Sequence, residues 1–375
     1  MTWIADEIEA RGGAVPFDEF MELALYHPEH GYYSSAELGY GRGGDYLTAP
    51  TASEWYSRIF ARVLSFTARV VGPLRLVDVA SGDGSFIAGV LESLGARADE
   101  VLADVVSVER SGSIRSRQVE RLAQTSIRVG WIERISELKP AGESTVLHAS
   151  ELYDAQPVVR VVGRDGGVRE FWIDVGGGAP AWSERPPREE VAAYFERQRV
   201  TLEEGQIAEA NLAADGMHRL LLSAAGDCGL CLVLDYGYEA RRLYDPRGRG
   251  GGSLTTFHRH RLGRDPLESP GKIDLTAHVN WDDLRFAAKV GEWTEVGLWP
   301  LAEFLVRAGL EDELEERGLG MDADLDAATI TTRQEIKRLL DPEGMGSDLK
   351  VLIQAKGDMI DVAREALSIE LGIRS

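Results

Sequence analysis

The chain has 375 residues, of which 62 are acidic and 41 are Lys or Arg, and its formal net charge is −21. Such a charge repels a phosphate backbone, so we expect no nucleic-acid partner. No run of about 18 apolar residues occurs, and the acidic N-terminus differs from secretory and transit signals, so the sequence predicts a cytoplasmic protein without membrane contact.

The predicted elements form a first half, a long break and a second half. Residues 1–70 contain an amphipathic helix over 17–25, and the strands that follow are apolar throughout instead of alternating. Such strands, separated by helices, indicate a parallel sheet covered on both faces, which predicts a doubly wound α/β core. The predicted strands are 74–80, 104–108, 126–129, 145–148, 230–235, 293–298 and 350–355, and the predicted helices that join them are 85–94, 113–124, 281–290 and 301–308.

The break between the fourth and fifth strands is far longer than a crossover needs, which predicts an inserted lobe. We expect a β-hairpin over 163–178 and two helices over 188–225 within it. A second excursion carries a glycine run, and we interpret it as a mobile lid loop over the site. The predicted division is a helical cap at 1–70, core halves at 71–160 and 227–375, a lobe at 161–226 and the lid loop at 238–280.

Cysteines and histidines offer two candidate metal sites. Cys228 and Cys231 could be redox-active or form half a zinc site, but no second pair exists and an apolar run follows, so we interpret them as structural. His258, His260 and His278 could bind a metal, but no carboxylate at a suitable spacing accompanies them. We therefore expect no metal.

A glycine-rich turn follows the first predicted strand. Backbone amides at the start of the next helix face a ligand in such a turn. The dinucleotide fingerprint requires Gly or Ala where Ile87 stands, and no Walker lysine follows, so both nucleotide classes are disfavoured. The form that fits is the acidic-x-G-x-G-x-G of methyltransferases, which predicts S-adenosylmethionine as the cofactor. Its candidate contacts in the turn are Asp78, Ala80, Ser81, Gly82 and Gly84.

Further candidates follow the next three strands. Glu109 ends the second strand, where an acid can accept both ribose hydroxyls, and Trp131 could lie against the adenine. After the fourth strand come Ser150, Glu151 and Asp154, at the sheet edge where ligands of such sheets bind. Methyl transfer from a sulfonium needs alignment of the nucleophile and, where necessary, removal of its proton.

Six motifs outside the turn occur in a fixed order. They are 26–33 (YHPEHGYY), 41–50 (GRGGDYLTAP), 151–157 (ELYDAQP), 234–237 (LDYG), 252–260 (GSLTTFHRH) and 273–279 (IDLTAHV). Together they resemble the MidA-like methyltransferases, whose mitochondrial members assist respiratory complex I assembly. The resemblance implies a seven-stranded class I methyltransferase sheet with an N-terminal helical segment and an inserted substrate lobe. It also implies methylation of an arginine or related nitrogen in a protein or peptide.

The resemblance extends the candidate site. It implies that Thr48 and the Glu151 turn join the cofactor contacts, and that Asp274 lines the pocket with the candidate catalytic residues. Carboxylates can orient a guanidinium bidentately, and a histidine could serve as the base. The candidate catalytic residues are Asp45, Asp154, His260 and His278.

Several positions depart from the family's pattern. Ala80 replaces a glycine, Ser150 an asparagine, Thr51 an acid and Arg259 a glycine. These changes lie around the pocket and leave the acceptor open between a polypeptide and a small molecule methylated at oxygen or nitrogen. A non-catalytic assembly factor and a homodimer are also left open.

Overall fold

A computed structural model describes residues 2–34, 49–80, 82–125, 127–140, 142, 144–258, 261–263, 265–320 and 326–368. We number its strands and helices along the chain. No helix in these ranges is long and apolar enough to cross a membrane.

The N-terminal region divides between two layers of the molecule. Its elements are α1 (Trp3–Ala10), β1 (Ala14–Pro16), α2 (Phe17–Tyr26), α3 (Ala49–Ala52) and α4 (Glu54–Val71). The predicted helix over 17–25 is α2, which buries Phe17 and Phe20 in a cluster that includes Ile173 of the inserted lobe. Helix α4 instead packs against the core; Ser53 begins it by accepting a hydrogen bond from the Trp55 amide at 3.2 Å.

The first half of the core follows the predicted order. Its elements are β2 (Leu74–Val79), α5 (Ser85–Leu94), α6 (Ala98–Val101), β3 (Leu102–Val108), α7 (Gly112–Leu122), β4 (Val129–Ile132) and β5 (Thr145–Ser150). The third predicted strand is shifted, because Val105–Val108 of β3 pairs with Val129–Ile132. Gly130 and Trp131 therefore belong to the strand instead of ending it.

The inserted lobe contains a second sheet. Its elements are β6 (Val159–Arg164), β7 (Gly167–Asp174), β8 (Ala181–Arg185), α8 (Glu189–Gln198), β9 (Ile207–Ala210) and α9 (Ala214–Ser223). The predicted hairpin and both helices are present. Strands β1, β7, β6 and β9 pair in that order, with β8 also on β7. The sequence did not predict β9, since four residues between two helices gain strand geometry only from pairing with β6.

The second half completes the core. Its elements are β10 (Gly229–Tyr238), α10 (Ala240–Leu243), α11 (Pro246–Arg249), β11 (Thr255–His258), β12 (Arg261–Leu262), β13 (Asp274–Thr276), β14 (Val279–Asn280), α12 (Trp281–Val290), β15 (Thr294–Pro300), α13 (Leu301–Arg307), α14 (Leu310–Glu316), α15 (Ala327–Leu339), α16 (Met345–Asp348), β16 (Leu349–Lys356) and α17 (Met359–Ala366). Where the structure describes it, the segment 238–280, which we predicted as a lid loop, contains α10, α11 and the small sheet β12-β11-β13.

The main sheet confirms the doubly wound, seven-stranded class I architecture. Its strand order is β15-β16-β10-β5-β2-β3-β4, in which only β16 runs antiparallel to its neighbours. The chain reverses direction across the sheet between β2 and β5, and ligands of such sheets bind beyond the carboxyl ends of the strands at that point. Cys231 is buried within β10, and both cysteines are free thiols.

Candidate active site

A cavity of about 1270 Å³ lies at the carboxyl ends of β2, β3, β5 and β10. Helix α9 of the lobe, the segment 26–34 and strand β13 form its other walls. The predicted site residues that line it are Ala80, Gly82, Glu109, Ser150, Glu151, Asp154 and His278. Four further candidates, Asp45, Thr48, Ser81 and His260, lie outside the described residues.

The turn after β2 is held in a backbone conformation that favours glycine. Gly82 has φ 51° and Gly84 has φ 82°, and Ala80, which is not a glycine, has φ 57°. A non-glycine residue in this region costs of order 1 kcal/mol and is found where the surrounding structure enforces it. The Ala80 amide donates to the Val108 carbonyl at 3.1 Å, which ties the turn to β3.

Gln118 of α7 anchors the turn, and sequence reasoning missed it. Its amide donates to the Gly82 carbonyl at 2.8 Å, while its Oε1 accepts from Ser107 at 2.8 Å and from the Trp131 indole at 3.1 Å. Trp131 therefore contacts Gln118, and it is absent from the cavity lining where we expected an adenine contact. Gln118 stands among polar residues of an amphipathic helix, so the sequence does not indicate that its side chain is buried.

Two other predicted cofactor contacts, Gly84 and Asp78, do not line the cavity. Gly84 precedes α5, where a Cβ would meet Gln118 at 3.4 Å, an ordinary van der Waals contact, so it is the φ of 82° that favours glycine there. Asp78 is buried with its Oδ1 at 2.7 Å from His148 Nδ1, and His148 Nε2 lies 2.9 Å from the Tyr56 hydroxyl.

Glu109 stands at the end of β3, where its side chain enters the cavity. One carboxylate oxygen accepts a hydrogen bond from the Ser111 amide at 2.7 Å. Burial raises the pKa of Glu109 to about 7, an effect that this hydrogen bond partly offsets. The cavity-facing carboxylate can accept hydrogen bonds from the two hydroxyls of a ribose.

Glu151 and Asp154 form a buried pair of acids in the turn after β5. Glu151 has φ 51°, a further non-glycine residue in the left-handed region. Burial raises the pKa of both carboxyls well above their ordinary values, and the charge of Asp154 adds to the effect on Glu151. Among the described residues, Glu151 Oε1, Asp154 Oδ1 and Ser150 Oγ are buried without a hydrogen-bond partner. Buried polar atoms without partners beside a cavity indicate a polar ligand.

Two more acids lie close to this pair. Asp235 accepts hydrogen bonds from the amides of Tyr153 at 2.9 Å and Tyr236 at 2.7 Å, and burial raises its pKa to about 8. Asp274, which the resemblance placed in the pocket, lines the cavity and accepts from the Tyr33 hydroxyl at 2.9 Å. Four carboxyl groups in one apolar environment favour a cationic ligand, because its charge would compensate theirs.

His278 lines the cavity, but its bonding does not suit a general base. The Arg249 guanidinium donates to His278 Nδ1 at 2.8 Å. A guanidinium can only donate, so Nδ1 is the unprotonated nitrogen and Nε2 carries the hydrogen. Burial, followed by the charge of Arg249, lowers the pKa of His278 to about 4. The Nδ1 lone pair that would take a proton is therefore occupied.

The lobe positions the segment that carries His278. The Ser253 hydroxyl accepts from the His278 amide at 3.2 Å, and the Ser253 amide and hydroxyl both donate to Glu209 of β9. The Ala277 amide also donates to the Asp154 carbonyl at 2.9 Å, which joins the two acid-bearing segments. Glu209 was not predicted, since its strand was not.

Comparison with known proteins identifies one family whose model matches residues 56–298, described as "Putative S-adenosyl-L-methionine-dependent methyltransferase". The chain is 28% identical over 379 residues to "Protein arginine methyltransferase NDUFAF7 homolog, mitochondrial" of Drosophila melanogaster, covering 92% of this chain and 82% of that protein. It is 26% identical over 370 residues to the corresponding Danio rerio protein, covering 89% and 82%.

A solved structure from Burkholderia thailandensis, bound to S-adenosyl-homocysteine, superposes with a TM-score of 0.82 at 29% sequence identity. The alignment covers 94% of this chain and 90% of that one. A second structure from the same organism gives a TM-score of 0.84 at 29% identity and covers 98% and 93% of the two chains.

The comparisons correct one expectation. Three curated relatives are named as mitochondrial proteins, which contradicts the cytoplasmic location predicted from the acidic N-terminus. Net charge and apolar content govern solubility and membrane insertion, and neither property distinguishes one aqueous compartment from another.

Proposed function

Since the chain belongs to the family of S-adenosyl-L-methionine-dependent methyltransferases whose model spans residues 56–298, we propose that it methylates the guanidinium of an arginine in a polypeptide. The observation that carries the proposal is the buried pair Glu151 and Asp154, whose unpartnered oxygens lie beside the cavity. The relatives named as protein arginine methyltransferases support it.

The described residues fit S-adenosylmethionine. The Ala80–Gly82 turn would let the backbone approach the ligand closely, Glu109 would hold the ribose, and the unpartnered Ser150 hydroxyl offers a further polar contact. Ile135 would face the adenine, as it lines the cavity beyond the end of β4. When bound, the cofactor supplies a methyl group activated by its sulfonium.

The opposite side of the cavity fits an arginine side chain. A guanidinium is planar and carries five donors, which match the two carboxyl groups of Glu151 and Asp154 in a bidentate arrangement. Tyr26 and Tyr33 form an aromatic wall, with ring centroids 5.4 Å apart. Arg110 of this chain lies over the Tyr26 ring at 4.1 Å, and this cation–π contact supports the proposal that the wall would bind a substrate guanidinium.

The acids can respond to the charge of the substrate. Burial favours the neutral carboxyl, whereas an incoming guanidinium favours the ionised one, so substrate binding would itself produce the carboxylates that align it. The aligned guanidinium nitrogen would be the acceptor of the methyl group that the cofactor supplies. The proton lost from that nitrogen would pass to Asp154.

The test is methyl transfer to defined peptides. The protein is incubated with S-adenosylmethionine and matched peptides that carry arginine or lysine at the same position, and the products are analysed by mass spectrometry. We expect a mass increase of one or more methyl groups on the arginine peptide alone. The protein is also incubated with a cell extract. If methyl groups are transferred only to small molecules and to no peptide or protein, the acceptor is a metabolite and the proposal is wrong.

A further inference from the structure

Three cations surround one aromatic ring in a chain that is otherwise strongly acidic. The Tyr238 ring at the end of β10 has the guanidinium of Arg249 at 3.8 Å, that of Arg242 at 4.5 Å and Lys350 Nζ at 4.1 Å from its centroid. We call these four residues the Tyr238 cluster. The net charge of the chain is −21, whereas this cluster is locally positive.

The cations of the cluster lack ionic partners within the part of the chain that the structure describes. No ion pair among the described residues includes Arg242, Arg249 or Lys350; Arg249 donates to His278, and Lys350 Nζ donates to the Gly237 carbonyl at 2.7 Å. Burial, followed by the charge of Arg242, lowers the pKa of Lys350 to about 8. Like charges this close repel one another, and an anion placed among them would relieve that repulsion.

The cluster borders its own small cavity. Arg242, Lys350 and Tyr238 line a space of about 240 Å³. Two carboxylates, Glu239 and Glu295, also line it, and both bind Arg285. Asp348, another acid near Lys350, is exposed to solvent. The cavity has room for a carboxylate, and the acids that line it favour a singly charged ligand over a phosphate dianion.

The cluster adjoins the acceptor side of the main cavity. Arg249 bonds His278, which lines that cavity, and Tyr236, two residues before Tyr238, lines it as well. A polypeptide whose arginine enters beside Glu151 and Asp154 would therefore pass close to the cluster.

We infer that the Tyr238 cluster binds the carboxylate of a Glu or Asp that neighbours the methylated arginine in the polypeptide substrate. This inference rests on the proposed function for the identity of the substrate. The subsite would select acidic residues next to the arginine, which the negative charge of the protein would otherwise repel.

The experiment measures binding and does not require turnover. Fluorescence anisotropy gives dissociation constants for labelled peptides with Glu, Gln or phosphoserine beside one arginine, with the full chain and S-adenosyl-homocysteine. The variants are Arg242→Gln and Lys350→Gln. The control is Arg128→Gln, which changes an exposed arginine without an ion pair among the described residues, next to β4 at the far edge of the sheet.

We expect the native protein to bind the Glu peptide roughly fivefold or more tightly than the Gln peptide, with a preference that weakens at high salt. Each cluster variant should reduce that preference, and the control should retain it. Equal binding of both peptides, absence of binding, or a preference that survives both variants overturns the inference. Tighter binding of phosphoserine through the same residues overturns the choice of a carboxylate.

Methylation of the same peptides is a separate readout for the proposed function. A Glu preference that depends on Arg242, in the absence of any methyl transfer to arginine, would leave the subsite standing and reject arginine as the acceptor. Methylation of arginine in both peptides, without a Glu preference, would support arginine as the acceptor and reject the subsite.

Discussion

The two halves of the cavity are built in different ways. One half, which we propose holds the cofactor and call the cofactor half, is lined by Ala80, Gly82 and Glu109 and comes from two consecutive strand-to-helix turns. The other, which we propose holds the methyl acceptor and call the acceptor half, is lined by Glu151, Asp154, Asp274 and His278 and joins segments more than 100 residues apart. The first half is therefore a local construction, whereas the second exists only once the lobe and β13 have packed against the core.

The halves also differ in electrostatics. The cofactor half has one carboxyl group, whose backbone hydrogen bond partly offsets its burial. The acceptor half concentrates acids whose pKa values burial raises well above normal. The first arrangement suits neutral hydroxyls and the second responds to a cation, so one cavity can hold a common cofactor and select its own acceptor.

The largest expected effect separates chemistry from cofactor binding. Asp154→Asn keeps the shape of the side chain and removes its ability to take a proton, so kcat for peptide methylation should fall by about 10²-fold or more. Calorimetry should find the affinity for S-adenosylmethionine nearly unchanged. Asp99→Asn in α6, an exposed acid, is the matched control. An unaltered kcat would show that Asp154 does not take the proton in the reaction.

The second prediction concerns the other half. Glu109→Ala removes the acceptor for two ribose hydroxyls and should weaken cofactor binding by about 2 kcal/mol, or roughly thirtyfold. The dissociation constant for a substrate peptide, measured without cofactor, should stay the same. Our placement of the ribose is wrong if calorimetry finds native affinity for the cofactor in this variant.

A third, smaller effect is a dependence on pH. The pKa of Glu109 is raised to about 7, and the ionised carboxylate is the better acceptor, so cofactor affinity should rise roughly fivefold from about pH 6 to about pH 8. Because the folded state holds this proton more tightly than the unfolded one, the contribution of Glu109 to the free energy of unfolding should fall as pH rises from its ordinary pKa towards 7. Both trends should be absent in Glu109→Gln, and an affinity independent of pH would contradict the first.

The smallest expected effect tests the boundary of the cofactor half. Trp131→Phe loses only the indole hydrogen bond to Gln118, so cofactor affinity should drop by no more than about threefold. Gln118→Leu, which also releases the Gly82 carbonyl, should lose more. A loss above about tenfold in Trp131→Phe would instead indicate direct contact with the adenine.

Sequence reasoning reached the cofactor half because its signals are local. The helices Ser85–Leu94 and Trp281–Val290 have the bounds that apolar periodicity and glycine punctuation predicted. The turn after β2 and Glu109 follow from the order of strand, turn and helix, which one stretch of chain encodes. The seven-stranded architecture followed from the same alternation, aided by the motifs of the resemblance.

Tertiary structure alone decided which of those residues face the cavity. Asp78 bonds His148 and Trp131 bonds Gln118, and neither of these two predicted contacts lines the cavity. The state of His278 depends on Arg249, which lies 29 residues away. Burial, hydrogen-bond partners and pKa values depend on which distant groups pack together, and no local spacing encodes that. The sequence by itself determined a cofactor fold; packing determined the chemistry at its acceptor side.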